Sequence, residues 1–107
     1  MSRASGYATG DLPDPAVQVL AALGRPRHGY AVMALLDERG GPDLAMGPAT
    51  LYTTLRKLLA VGLIEEVDDA GPRRPYRRTE AGTASLRRNI ERRRRLIALS
   101  EEILAES

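Results

Sequence analysis

Apolar and polar positions along the chain change period several times. Between residues 14 and 23, Ala16, Val19, Leu20 and Leu23 recur at the spacing of one face of an α-helix. Asp14 and Pro15 suit an N-cap and a first helical position, and Gly24 and Pro26 stop the run. A second helix is predicted over 29–39, with Val32, Leu35 and Leu36 turned inward and Gly40-Gly41-Pro42 closing it. Residues 43–46 are too few for a helix of ordinary length and read as a connector.

A third helix is predicted from Pro48 to Val61-Gly62. With about 100° per residue and Leu51 at the origin, Leu51, Leu55, Leu58, Leu59 and Gly62 fall on one side, while Thr50, Thr53, Arg56 and Lys57 fall opposite. One face is core. The other holds short hydroxyls and two cations with no acid, whereas an ordinary solvated face more often uses Glu and Gln. Hydroxyls and cations donate to phosphate oxygens and base edges, and threonine methyls pack on thymine methyls.

Beyond Gly62 the period shortens. Residues 63–67 are rich in β-branched positions, 68–72 form a turn cluster, and 73–78 are extended again, so a β-hairpin is expected. Pro75 lacks an N–H and belongs at a sheet edge. Thr79 then suits the N-cap of a final helix over 80–106. Ile90, Ile97 and Leu104 are seven apart, with Leu86, Leu96, Leu99 and Ile103 beside them. A helix this long overshoots so small a domain, so its stripe is expected to pair with a second subunit. Val17 and Leu20 of the first predicted helix are candidates for the same surface. The fold expected is mainly α with a small β-hairpin: a winged helix-turn-helix over 14–79, one long C-terminal dimerisation helix over 80–107, and a flexible arm over 1–13 that orders only on docking.

Composition narrows the function. The chain has 107 residues, one histidine and no cysteine, tryptophan or phenylalanine. Thiol chemistry, disulfides and His- or Cys-ligated metal sites are excluded, and with them a metal-sensing repressor. Neither a phosphate-cradling Gly-rich loop nor a nucleophile elbow is present, so catalysis is not expected, nor is any cofactor. A core without Phe or Trp must be aliphatic, and a second subunit would help to bury it. The start of the chain lacks the apolar stretch of a signal peptide, and no run is long enough to span a bilayer, so a cytoplasmic location is expected.

Charge changes the picture more. The formal net charge is only +2, but residues 73–95 hold ten arginines against Glu80 and Glu91. Such a block is an electrostatic footprint for nucleic acid or an anionic surface. It divides in two. Arg73, Arg74, Arg77 and Arg78 belong to the hairpin, while Arg87 to Arg95 ride on the last helix, free to be solvated or to pair with Glu101, Glu102 and Glu106 of another subunit. Membrane-surface binding is the weaker reading, because the stretch around Arg92 to Arg95 has little apolar face and no aromatic anchor.

Four segments taken together, His28-Gly29-Tyr30, Gly47 to Leu58 with its Thr50-Leu51-Tyr52, Gly62-Leu63-Ile64, and Tyr76 to Gly82, resemble the PadR family of bacterial transcriptional regulators. The similarity runs in the family's order from about Val17 to the end, in the compact branch with a single C-terminal helix. The resemblance implies a homodimeric winged-helix repressor that binds double-stranded DNA, with the third helix in the major groove and the wing on the backbone or minor groove. Carried onto this sequence, Thr50, Tyr52, Thr53, Arg56 and Lys57 become groove-facing candidates, with Tyr52 and Thr54 at the boundary between core and DNA. Arg73 and Arg74 sit at the wing tip with Arg77 beside them, where guanidinium groups follow a narrow minor groove. His28 and Tyr30 start the second helix, where backbone N–H groups meet a phosphate. For His28, local hydrogen bonding within the turn is an equally ordinary role.

Three departures stand out. Arg78 occupies a position that is usually apolar in the family, and Thr53 one that is often proline. Compact relatives take flat aromatic effectors in a pore between C-terminal helices, sometimes stacked on tryptophan, which this chain lacks; release by a small-molecule effector is therefore an open expectation. The competing function is a winged-helix protein interaction module, or an anti-repressor, without DNA binding. The acid-free face of the third helix argues against it.

Overall fold

The computed structural model describes residues 6–68 and 71–107. In chain order the elements are α1 (Gly6–Thr9), α2 (Asp14–Ala22), α3 (Gly29–Gly40), α4 (Pro48–Ala60), β1 (Ile64–Glu66), β2 (Tyr76–Arg78) and α5 (Glu80–Glu106). The fold is mainly α with a small β-hairpin, a winged helix-turn-helix carrying one long C-terminal helix.

α2 is the centre of the core. It packs against α3, α4 and α5, and its Ala16, Val19 and Leu20 are sealed among Leu12, Val32, Leu51, Leu55, Leu58 and Ile64. Every fully buried apolar side chain among the described residues is aliphatic or alanine. Each leucine so buried stabilises the fold by roughly 2 kcal/mol. Asp14 is not the cap expected of it: the helix begins at Asp14 itself, Pro13 precedes it in extended geometry with no side-chain cap, and Pro15 lies in the first turn. The Asp14 carboxylate instead accepts from Arg93 at 2.8 Å.

Gly40 and Gly41 end α3, and the connector over 41–46 is a turn in which the Leu44 and Ala45 N–H groups donate to the Gly41 carbonyl. Gln18 of α2 holds it by donating to the Leu44 carbonyl at 2.8 Å. α4 stops at Val61, after which Gly62 adopts φ +76°, a conformation costly for any residue with a Cβ. The chain thereby turns directly into β1.

β1 and β2 pair antiparallel with Ile64 opposite Arg78 and Glu66 opposite Tyr76. The strands are shorter than expected, but Val67 extends the ladder by donating to the Pro75 carbonyl at 2.8 Å, using the one backbone hydrogen-bonding group proline retains. On its other edge β2 meets the α2–α3 turn, where Arg27 and Tyr76 exchange backbone hydrogen bonds. This tie between turn and wing left no sign in the sequence pattern. Arg78 turns inward rather than toward solvent, and its Nη1 donates to the Leu20 carbonyl at 2.7 Å.

Thr79 caps α5 as expected, its Oγ1 accepting from the Gly82 N–H at 3.0 Å. Gly82 lets the helix touch the chain just before β1: a Cβ there would lie 1.9 Å from the Leu63 carbonyl oxygen. Within α5 the buried positions are Gly82, Ser85, Leu86 and Asn89. The second half extends past the domain as an exposed rod.

The flexible arm expected over 1–13 needs correction. Residues 1–5 lie outside the described residues, but Gly6–Thr9 is helical and Leu12 is fully buried in the core. The segment is pinned to α5 by Asn89, whose Oδ1 accepts from the Leu12 N–H and whose Nδ2 donates to the Gly10 carbonyl. Arg92 adds an ion pair to Asp11, and Arg93 donates to the Leu12 carbonyl. Order here comes from polar contacts with residues far along the chain, so local composition gives no warning of it.

Candidate nucleic-acid interface

α4 presents Thr50, Tyr52, Thr53, Arg56 and Lys57 to solvent, while Leu51, Leu55 and Leu58 anchor its opposite face in the core. Thr54 departs from expectation. It is buried on the core side, and its hydroxyl is hydrogen-bonded with the Tyr7 phenol. Thr54 therefore cannot be a base contact; it supports α4 from behind. Leu59, expected in the core, is only half-buried, and Gly62 is exposed.

Tyr7 links the N-terminal segment to the exposed face of α4. Lys57 Nζ lies 5.6 Å from the centroid of its ring, within cation–π range, so the ammonium is positioned beside the helix. Burial pushes the Tyr7 phenol above its ordinary pKa, with the Thr54 hydrogen bond opposing the shift. Tyr7 was not foreseen as part of the site.

A recess of about 500 Å³ opens where the start of α3, α4 and the wing meet. Its walls are His28, Gly29, Tyr30, Tyr52, Arg73, Arg74 and Tyr76. Five of the residues singled out in the sequence, scattered between positions 28 and 74, thus converge on one feature, and Tyr76 joins them. Tyr30 is 70% exposed and Tyr52 47% exposed, so both side chains reach solvent. Gly29 permits the close approach, because a Cβ there would sit 3.1 Å from Tyr52 Cε1. His28 precedes α3 without capping it through its side chain, and its Nδ1 is buried without a hydrogen-bond partner among the described residues. Tyr76 is shifted to a higher pKa by burial, then by the charge of Glu66 and by Tyr52.

Among the described residues, no acid lines the recess. With two guanidiniums and the open N-terminus of a twelve-residue helix beside them, the arrangement attracts a phosphate. Thr50, Thr53, Arg56 and Lys57 lie outside the recess, on the exposed face of α4 that leads to it. Arg77 is held by Glu65, its register partner across the hairpin, through Nε and Nη2 contacts of 2.7 Å each. It remains exposed, so the pair positions the wing guanidinium rather than hiding it.

Of the residues expected at a dimer surface, Leu20 is completely buried and Leu86 nearly so. Both serve this chain's own core and are unavailable to a partner. Val17 is half-buried against that core. Ile90, Leu96, Ile97, Leu99, Ile103 and Leu104 are exposed along α5.

The model of the transcriptional regulator PadR-like family matches residues 18–88. The chain belongs to this family. It is 41% identical over 81 residues to the transcriptional regulator Rv3488 of Mycobacterium tuberculosis, covering 73% of this chain and 60% of that protein. It is also 37% identical over 84 residues to an uncharacterized 37.1 kDa protein in transposon TN4556 of Streptomyces fradiae, covering 78% of this chain and 24% of that protein. The PadR chain thus spans less than two thirds of the length of either relative. The crystal structure of a PadR family transcriptional regulator from Eggerthella lenta superposes with a TM-score of 0.71 at 29% identity, over 86% of this chain and 81% of that one.

Members of this family are transcriptional regulators, and the exposed face of α4 in this PadR chain carries no acid. Among the described residues, no helix is long and apolar enough to cross a membrane.

Proposed function

We propose that this PadR-family chain is a repressor that binds a two-fold operator as a homodimer, with residues 14–79 as the DNA-binding unit and 80–107 as the dimerisation helix. The observation that carries the reading is the continuity of α4's exposed face with the recess at the start of α3. Thr50, Thr53, Arg56 and Lys57 supply donors and methyl groups suited to base edges, while Tyr30, Tyr52, Arg73 and Arg74 supply donors suited to the flanking phosphates. Arg77, braced by Glu65, extends that backbone contact along the wing.

Two copies would place two α4 helices on successive major grooves of one face of the duplex. DNase footprinting of the promoter of its own gene tests this. Two protected half-sites, related by two-fold symmetry and centred about one helical turn or a whole number of turns apart, are the expected outcome. A single unpaired half-site, or protection that ignores sequence, contradicts it. Repression requires the footprint to overlap the polymerase site, and a reporter driven by that promoter should rise when the gene is deleted. Release by a small-molecule effector belongs to the same proposal.

A further inference from the structure

The stretch matched by the family model begins at residue 18, yet Tyr7, on α1, reaches the exposed face of α4. Its side chain makes two contacts there. The phenol is hydrogen-bonded with the buried Thr54, and Lys57 Nζ lies 5.6 Å from the ring centroid. Thr54 and Lys57 are three positions apart and so are neighbours on the helix. One aromatic ring therefore runs from the buried edge of α4 to its solvent face.

The ring is itself held in place. Gly10 turns the chain with φ +88°, its N–H donates to the Gly6 carbonyl at 2.9 Å, and Gly6 lies so close to the returning backbone that a Cβ there would meet the Asp11 carbonyl oxygen at 2.0 Å. Leu12 is buried in the core, while Asn89 and Arg92 of α5 hold Gly10, Asp11 and Leu12. Tyr7 thus reaches α4 from a segment tied to α5.

An ammonium on a flexible four-carbon stem samples many positions, and ordering it against DNA subtracts from affinity. A carboxylate beside it would restrict that sampling but would also offset the charge that DNA phosphates attract. An aromatic face restricts the ammonium and leaves its net charge intact, with N–H donors still directed away from the ring. Among the described residues, no recorded ion pair involves Lys57. We propose that Tyr7 is a positioning residue of the DNA interface, its ring holding the Lys57 ammonium ready for the groove. The inference rests on the DNA-binding reading above and adds to it a residue that lies outside the unit 14–79.

The test is a set of anisotropy titrations of the full chain against its own promoter fragment and an unrelated duplex, with Tyr7→Leu, Tyr7→Phe, Lys57→Ala and the Tyr7→Leu/Lys57→Ala double variant. Tyr7→Leu should weaken promoter binding about two- to fivefold, the size of one exposed cation–π contact. Tyr7→Phe, which keeps the ring and loses the hydroxyl, should regain most of that loss. In the Lys57→Ala background Tyr7→Leu should have no further effect, whereas a role confined to stability would lower affinity equally in both backgrounds. In the free protein the ring should also move the Lys57 ε-methylene proton resonance upfield, in the wild type and in Tyr7→Phe alike. That measurement needs neither leucine variant, so it reads the contact even if Tyr7→Leu loosens the segment. Equal losses in the two backgrounds, a Tyr7→Leu or Lys57→Ala chain that binds as the wild type does, or a Lys57 resonance at its ordinary position overturns the positioning role and leaves the DNA-binding reading standing. A wild-type chain that binds promoter and unrelated duplex alike overturns both.

Discussion

The backbone N–H of Leu12 donates to Asn89 Oδ1 at 3.1 Å, joining residues 77 apart in sequence. Asn89 also accepts from Arg92 and Arg93 and donates to the carbonyls of Gly10 and Ser85, so one buried amide fixes the N-terminal segment to α5. Substituting Asn89→Leu removes every one of these bonds while keeping the number and branching of the side-chain heavy atoms. An orphaned buried donor costs about 1–3 kcal/mol, and here a carbonyl is orphaned as well. Urea denaturation at fixed protein concentration should show a loss of roughly 2–3 kcal/mol, with faster amide exchange at Leu12. A variant as stable as the wild type would mean that the segment is not held by Asn89.

Adjacent threonines on α4 should behave differently. Thr53 is exposed, so Thr53→Ala should leave stability within about 0.5 kcal/mol and reduce operator affinity. Thr54 is buried against Tyr7, so Thr54→Val should cost about 1 kcal/mol of stability with a smaller effect on DNA binding. Paired melting and anisotropy measurements separate the two; the opposite assignment would invert the face of α4.

That distinction was legible in the sequence. Thr54 lies only about 60° from Leu51 on the helical wheel, well inside the core side, and its position should have outweighed its hydroxyl. Helix limits were legible for equally local reasons: Thr79 carries its cap in its own side chain, and Gly62 marks the positive-φ exit from α4. Leu12 was not legible, because what orders it is an amide on the far helix. The recess was half legible. His28, Tyr30, Tyr52, Arg73 and Arg74 could each be nominated, but their convergence depends on the Arg27–Tyr76 backbone pair, a long-range tie without a local pattern.

Gly82→Ala should be costly despite improving helix propensity. The gain of about 1 kcal/mol for Ala over Gly inside a helix is set against a Cβ placed 1.9 Å from the Leu63 carbonyl oxygen. Backbone on both sides must move, and overpacking of this kind typically costs about 1–3 kcal/mol or more. A lower midpoint in thermal melting is expected, and a raised midpoint would show that α5 and β1 can part freely.

Alkaline pH should loosen the N-terminal segment. Tyr7 and Tyr76 have pKa values raised in the folded protein above the ordinary value of 10.0. The unfolded chain therefore ionises first, and the stabilisation present below about pH 10 is lost as pH rises through the folded values. Tyr7→Phe should flatten the decline above pH 10 in denaturation profiles; an unchanged profile would assign it to other groups.

The central claim is that α4's acid-free face and the recess beside it hold DNA. The most direct measurement is a fluorescence anisotropy titration of the full chain against its own promoter fragment across a salt series, with Arg56→Ala and Arg73→Ala alongside the wild type. Affinity should fall steeply and linearly on logarithmic axes with salt, because several phosphates are neutralised. Arg56→Ala should lower the preference for promoter over unrelated DNA, and Arg73→Ala should weaken binding to both and reduce the salt slope by about one. Binding that ignores salt and sequence, or that survives both substitutions unchanged, would contradict the account.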